Sequence, residues 1–214
     1  GDDCVETAWS MRKAATGNRL GLNLRIAPYA GTSSSDVTLI ESALRQILRE
    51  LHAELLSIPI CVARSVESES DADAAAQVIS SLGSSRAGQR IPSTSEEVIG
   101  MVSECRAIVT CSYHAAVFAL SQGIPAVCIE SSEYYRLKFE GLAELFGDGC
   151  RVISLSDKDF NQSMRRSLVE VWREADQLRP RLVAAAEIQA TEGNKAYDRL
   201  AAIIVGDAGT ENVA

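Results

Sequence analysis

Residues 108–129 have the sequence IVTCSYHAAVFALSQGIPAVCI, and this stretch decides the fold. It begins with a short apolar run that ends at Cys111, and a second apolar run occupies residues 125–129. Between these runs, residues 115–122 are interpreted as a helix because they are followed by Gly123, a residue that commonly ends a helix. The stretch therefore predicts a strand, a tight turn at residues 112–114, a helix and a second strand.

The same alternation continues along the rest of the chain. We predict five strands, at residues 20–26, 58–63, 107–111, 125–129 and 152–155. We predict helices at residues 6–15, 39–56, 71–82, 93–105, 115–122, 134–146 and 157–178, then a break at Pro180 and a long helix to 205. Strands that alternate with helices indicate an α/β fold, a Rossmann-like parallel sheet with right-handed crossovers and helices on both faces.

Charge and composition exclude several classes of partner. The 214-residue chain has a net charge of −8 and a pI near 4.9, so it does not attract nucleic acid or anionic membrane by long-range electrostatics. No apolar run approaches the roughly 20 residues that span a bilayer, and the acidic start does not resemble a signal peptide. The six scattered cysteines form no CxxC pair, which is typical of buried reduced thiols in a cytoplasmic protein.

The position of His114 gives the first indication of a functional site. In parallel sheets, ligands bind outside the carboxyl ends of the strands, and His114 follows a buried strand and opens a helix. Backbone N–H groups at a helix start favour an anion, and Ser112 can add a donor. We expect a phosphate or carboxylate there. The alternative is that Ser112 only caps the helix and His114 only packs, while His52, placed mid-helix, receives no role.

Three further polar residues lie near strand ends. Asn23 and Arg25 share one face at the end of the first strand, and Arg25 can bind a carboxylate or phosphate with two hydrogen bonds. Lys138 lies in the first two turns of a helix, where a cation suggests an anionic partner. The alternatives are an exposed strand end and a solvated lysine. Asp71 and Asp73 are interpreted as residues that favour a helix N-terminus.

These residues resemble the polysaccharide pyruvyl transferase family. The pattern is a strand, a His that opens a helix, Phe118-Ala, Gly123-x-Pro125 before a strand, and then Tyr135-x-x-Lys138. Residues 22–25 resemble the strand that begins the C-terminal lobe of that family, and residues 1–3 resemble the crossover between its lobes. The resemblance covers roughly residues 1–205. It implies an inter-lobe lead-in at 1–18, a Rossmann-like C-terminal domain at 19–205, and a flexible tail at 206–214.

The resemblance also implies a chemistry. Members have a GT-B-like, two-lobed fold and transfer the pyruvyl group of phosphoenolpyruvate to a sugar as a ketal, with no metal or further cofactor. By resemblance, His114 is the general acid, and Arg25 and Lys138 hold the donor's carboxylate or phosphate. The remaining expected substrate-binding residues are Asn23, Ser112, Tyr113 and Tyr135.

Two departures from the family pattern qualify this expectation. Many members carry Arg where this chain has Ser112. The length accommodates one lobe, so the chain is either a C-terminal half or a stand-alone relative. We expect the former, a half-enzyme that needs the N-terminal lobe of the same parent protein for turnover.

Two other functions remain open on the sequence. A nucleotide-sugar glycosyltransferase lobe of the same general fold needs an acid for the ribose, for which Glu130 or Glu133 is available. A non-catalytic interaction domain can use the long helix after Pro180 as a docking surface.

Overall fold

The computed structural model describes residues 2–14, 17–25, 34–62, 70–83 and 90–208. The α-helices are α1 Cys4–Ser10, α2 Ser34–Leu51, α3 Asp71–Ser81, α4 Ser95–Val102, α5 Tyr113–Ser121, α6 Glu133–Phe146 and α7 Phe160–Ala208. The strands are β1 Arg19–Asn23, β2 Glu54–Ser57, β3 Cys105–Thr110, β4 Ala126–Glu130 and β5 Cys150–Ser154, with a short 3₁₀ turn at Gly147–Gly149 before β5.

The five strands form one parallel sheet with the order β2-β1-β3-β4-β5. This confirms the predicted α/β fold. The chain moves in one direction along the sheet from β1 to β2 and in the other from β3 to β5. Right-handed crossovers then place α2 on one face and α5 and α6 on the other. The strand order reverses at the junction of β1 and β3, which is where parallel sheets bind ligands.

The last helix provides much of the core. Its buried residues recur every three or four positions, so one stripe of α7 packs inward. That stripe consists of Phe160, Met164, Leu168, Val171, Ala175, Leu178, Leu182 and Ala186. Helix α7 packs against α1, α2 and α5 as well as against β3, β4 and β5. No helix in the described ranges is long and apolar enough to cross a bilayer.

The first crossover, from β1 through α2 to β2, differs from the prediction. The helix predicted to end at residue 56 ends at Leu51. The strand predicted at 58–63 is wrong: residues 58–62 are not in a strand, residue 63 lies outside the described part, and the second strand is β2, Glu54–Ser57. His52 has a φ of 50°, a left-handed conformation that ends the helix, so its predicted mid-helix position is wrong. Leu55 pairs with Leu20 in the sheet. Its spacing from the preceding leucines fits a helix equally well, which explains the error.

Both chain ends also differ from the prediction. The first helix is Cys4–Ser10 rather than 6–15, and β1 ends at Asn23 rather than at 26. Helix α7 continues through Pro180, where a break was predicted. Proline removes one backbone hydrogen bond, but Leu178 and Leu182 are both buried, so packing holds the helix on either side. Residues 206–208 of the predicted flexible tail are helical, and residues 209–214 lie outside the described part.

Candidate functional site

One cavity, of about 230 Å³, opens at the junction of β1 and β3. Six of the seven residues that the sequence proposed for the site line it, and Asn23 lies fully buried near the same strand end. The lining consists of Arg25, Ile60, Cys61, Ser112, Tyr113, His114, Tyr135 and Lys138. The structure therefore brings together residues that are far apart in the sequence.

Four polar side chains, Asn23, Arg25, Asp71 and Thr110, form what we call the floor network. Asn23 and Thr110 are register partners on β1 and β3. The Thr110 hydroxyl donates to Asn23 Oδ1 at 3.0 Å and accepts from the Ser112 backbone N–H at 2.8 Å. Asn23 Nδ2 donates to Asp71 Oδ2 at 2.9 Å. The network thus fixes the turn that presents His114.

Asp71 is the residue that sequence reasoning missed. It does begin α3, as predicted, but its buried carboxylate faces the strand ends. Besides Asn23, it accepts from Arg25 at 3.0 Å and from the backbone N–H groups of Ile60 and Cys61, each at 3.0 Å. The Arg25 side chain is only 15% exposed, which argues against the alternative of a solvated strand end. Asp71 therefore orients Arg25 and compensates its charge.

The rim is formed by Tyr113, His114, Tyr135 and Lys138. Lys138 lies in the second turn of α6, and its Nζ is 4.9 Å from the centroid of the Tyr113 ring and 4.7 Å from that of Tyr134. These are cation–π distances. Among the described residues, no carboxylate forms an ion pair with Lys138. The Lys138 ammonium is thus positioned by aromatic rings and is not neutralised by a carboxylate of the described residues, which suits an anionic ligand.

His114 is exposed in the first turn of α5. Its ring centroid lies 5.6 Å from that of Tyr113, nearly perpendicular, and 6.4 Å from that of Phe118. Ser112 occupies the N-cap position, but its hydroxyl makes no capping hydrogen bond, so the simple capping alternative does not describe it. The first backbone N–H groups of α5 have no acceptor within the helix and add positive potential beside His114.

A second depression of about 240 Å³ adjoins the imidazole. Its other lining residues are Ile60, Val62, Pro92, Ser93, Thr94, Ser95, Val98 and Phe118. Among the residues that the structure describes, the lining of this depression combines apolar side chains with hydroxyl groups and has no ionisable residue apart from His114. His114 lies between it and the cation-lined cavity, so one imidazole can reach ligands on both sides.

Two neighbouring groups, the Cys111 thiol and the Tyr113 hydroxyl, have raised pKa values. Burial raises the pKa of the Cys111 thiol to about 12. Burial, and then the charges of Asp2 and Cys4, raise the pKa of Tyr113. Neither group therefore adds negative charge to the cavity or supplies a nucleophile.

Three potential metal ligands also meet at His114. One ligand atom each from Asp2, Cys4 and His114 lie within 4.8 Å of one another. The expectation that no metal is needed came from the family chemistry. A CxxC pattern reports only ligands that are close in sequence, whereas Asp2 and Cys4 are more than 100 residues from His114. Glu130 and Glu133, the candidate ribose ligands, do not line the cavity.

A comparison with protein families agrees with the resemblance that the sequence indicated. The family model for polysaccharide pyruvyl transferase matches residues 48–133, which confirms the predicted resemblance over less than half of the chain. The match includes Asp71 and His114, whereas Arg25 and Lys138 lie outside it. No curated protein matches the chain.

Two solved glycosyltransferase structures are similar to the chain at low identity. One is the glycotransferase of kitacinnamycin, with 14% identity, a TM-score of 0.43, and coverage of 86% of this chain and 44% of that chain. The other is the glycosyltransferase SnogD from Streptomyces nogalater, with 17% identity, a TM-score of 0.34, and coverage of 85% and 44%. The chain therefore spans less than half the length of either structure.

Proposed function

We propose that this chain is the donor-binding lobe of a polysaccharide pyruvyl transferase, which transfers pyruvyl from phosphoenolpyruvate to a sugar. The observation that carries the proposal is the single cavity that combines His114 with two cations, Arg25 and Lys138. The family match, which includes His114, supports the same reaction class.

The charges of the cavity suit a small acid with two anionic groups. Arg25 is held by Asp71 with its guanidinium at the cavity, and Lys138 faces the cavity from α6. The α5 N-terminus adds backbone N–H donors. These replace some of the hydrogen bonds to an anion that the family's usual Arg would donate at the position of Ser112. Phosphoenolpyruvate has a carboxylate and a phosphate attached to the same carbon, so two separated cations and a helix start can bind both groups.

His114 would supply the proton that begins the transfer. Protonation of the methylene carbon makes the adjacent carbon oxocarbenium-like, and a sugar hydroxyl attacks it and loses its proton. The bond from that carbon to the phosphate oxygen then breaks and inorganic phosphate leaves. A second sugar hydroxyl attacks the same carbon and closes the ketal, and its proton is taken up by the departing phosphate. The hydroxyl-lined depression on the other side of His114 is a suitable approach for the sugar.

The lining of the cavity favours this donor over a nucleotide sugar. Among the described residues, the lining includes neither Glu130 nor Glu133, the acids available for a ribose. This argues against the glycosyltransferase alternative.

Calorimetry with phosphoenolpyruvate, in the presence of EDTA, tests the donor. We expect binding by the intact chain and about tenfold weaker binding by Lys138→Gln, equivalent to about 1.4 kcal/mol. Arg136→Gln is the matched control, because Arg136 lies on the same helix but pairs with Glu133 and Glu140. UDP-glucose is the competing ligand.

Three outcomes would contradict the donor assignment: no binding of phosphoenolpyruvate, equal weakening by both substitutions, or tighter binding of UDP-glucose. The role of His114 has a separate test in the full-length parent. His114→Gln should bind phosphoenolpyruvate within a few-fold of wild type and lose transfer, measured as phosphate release. Retained transfer would exclude His114 as the acid.

A partner lobe is part of the same proposal. Several large apolar residues on α7 beyond Pro180 are more than half exposed: Ile188, Tyr197, Leu200, Ile203 and Ile204. Such a surface on a helix fits docking against another domain of the parent protein. Co-expression with the rest of the parent should protect these residues from hydrogen exchange, and unchanged exchange rates would remove this part of the proposal.

A further inference from the structure

The N-terminal segment brings two potential metal ligands to the imidazole of His114. Helix α1 packs along α5, and one ligand atom each from Asp2, Cys4 and His114 lie within 4.8 Å of one another. Asp2 and Cys4 are half-buried and His114 is exposed. The proposed pyruvyl transfer uses neither Asp2 nor Cys4, so their convergence on His114 has no role in that reaction.

The three ligand types suit a borderline-soft divalent cation. Thiolate and imidazole select zinc and similar transition metals over magnesium and calcium. With bonds of about 2.0–2.3 Å, tetrahedral ligand atoms lie roughly 3.3–3.6 Å apart. To bind one ion, the three ligand atoms must therefore move closer to one another by at most about 1–1.5 Å, and side-chain rotation can supply this movement.

Local contacts hold two of the ligands in place. The Cys4 backbone N–H donates to Asp2 Oδ1 at 2.9 Å, which fixes the carboxylate beside the thiol. The rings of Tyr113 and Phe118 flank the imidazole. The segment that carries Asp2 and Cys4 is far in sequence from the start of α5, which carries His114. These contacts hold the ligand atoms of the two segments close together.

We propose that Asp2, Cys4 and His114 form a binding site for one Zn²⁺-like cation, with the fourth position left to water or to an oxygen of a small ligand. Three protein ligands and an open position are the pattern of reactive zinc sites, whereas structural sites use four protein ligands. A nitrogen of His114 that binds the ion has no proton to donate. The metal-bound form therefore cannot use that nitrogen as the acid of pyruvyl transfer.

Cobalt spectroscopy tests the site directly and needs neither donor nor acceptor. The metal-free chain is titrated with Co²⁺. We expect one ion per chain, a near-ultraviolet thiolate-to-cobalt band, intense visible bands of tetrahedral cobalt, and displacement by Zn²⁺. Cys4→Ser should abolish the thiolate band, and Asp2→Asn and His114→Gln should each weaken binding by more than the roughly tenfold loss typical of an outer partner.

Two matched controls separate this site from adventitious binding. Cys61→Ser removes another half-buried thiol, which lines the adjacent cavity, and Asp3→Asn removes the neighbouring acid. Both should bind Co²⁺ as wild type does. Thermal unfolding of the metal-free variants verifies folding, and Asp2→Asn provides the test if Cys4→Ser does not fold.

The proposal is overturned if Co²⁺ does not bind, if the thiolate band persists in Cys4→Ser, or if the control variants lose as much affinity as the ligand variants. These outcomes are distinct from failure of the proposed function, because phosphoenolpyruvate binding is measured in EDTA. A chain that binds phosphoenolpyruvate but not Co²⁺ retains only the first proposal, and the converse result retains only the second.

Discussion

The floor network and the rim place two cations beside one cavity but hold them in opposite ways. Arg25 is 15% exposed and pairs with Asp71, whose side chain is fully buried. Lys138 is half-buried between the rings of Tyr113 and Tyr134, with no ion pair in the parts of the chain described. The difference suggests a division of work: the floor network stabilises and orients the site, and the rim supplies uncompensated charge for a ligand.

Asp71→Ala is the strongest test of this division. It leaves Arg25, Asn23 and two backbone N–H groups without their buried acceptor. Breaking a buried ion pair by removing one partner costs about 3–5 kcal/mol, and we expect that loss in urea unfolding. Asp73→Ala, two positions along the same helix, removes the side chain that accepts from Ser70 and should cost only about 1 kcal/mol. Equal losses would show that Asp71 does not anchor the floor.

Thr110→Val should have the next largest effect. The side chain keeps its shape but leaves Asn23 Oδ1 and the Ser112 N–H without the hydroxyl they share. Unsatisfied buried groups cost about 1–3 kcal/mol, so we expect a loss of about 2 kcal/mol in the free energy of unfolding. A loss below about 0.5 kcal/mol would mean that the β1–β3 junction does not depend on this bond.

Lys138→Gln should change stability little, in contrast to both floor substitutions. It removes one ammonium that is shared by two rings at a partly exposed site, where a cation–π interaction is worth about 0.5–1 kcal/mol. We expect a loss of about 1 kcal/mol at most, measured by urea unfolding, together with the weaker phosphoenolpyruvate binding described above. A larger loss of stability would erase the distinction between rim and floor.

Thiol labelling tests the accessibility of the cavity without any substitution. Cys61 is half-buried and lines the cavity, whereas Cys111, the residue after β3, is buried, and burial raises the pKa of its thiol to about 12. Only the thiolate reacts, so at pH 8 we expect iodoacetamide to modify Cys61 and leave Cys111 intact in the native chain. Raising the pH to 9 should not expose Cys111. Mass spectrometry of the alkylated peptides measures both.

The sequence predicted the last three strands better than the connection between the first two. The apolar runs of β3, β4 and β5 have few alternatives, and the helix predicted at 71–82 agrees with α3. The end of α2 could not be read in the same way, because Leu55 continues the helical spacing of the leucines before it. Only the left-handed backbone at His52 and the pairing with β1 decide the boundary.

The candidate site was predicted from the position of residues after strand ends and from the family resemblance. The contacts that were missed join residues that are far apart in the sequence. His114 and Lys138 follow strands, so a rule on strand ends locates them. Asp71 looked like an ordinary residue at a helix start, because its contact with Arg25 joins positions 46 residues apart. The convergence of Asp2 and Cys4 on His114 depends on how α1 packs against α5, which no spacing rule reports. The roles of all these residues in binding or catalysis stay predictions.

The position of α7 in the chain has a consequence for synthesis. All five strands are complete at Ser154, yet the helix whose buried stripe covers them begins at Phe160 and stays in the core as far as Ala186. A nascent chain that has just released β5 from the ribosome therefore exposes apolar sheet and helix surface. We expect the domain to reach its native state only after most of α7 has emerged. Until then the nascent chain would be a substrate for chaperones.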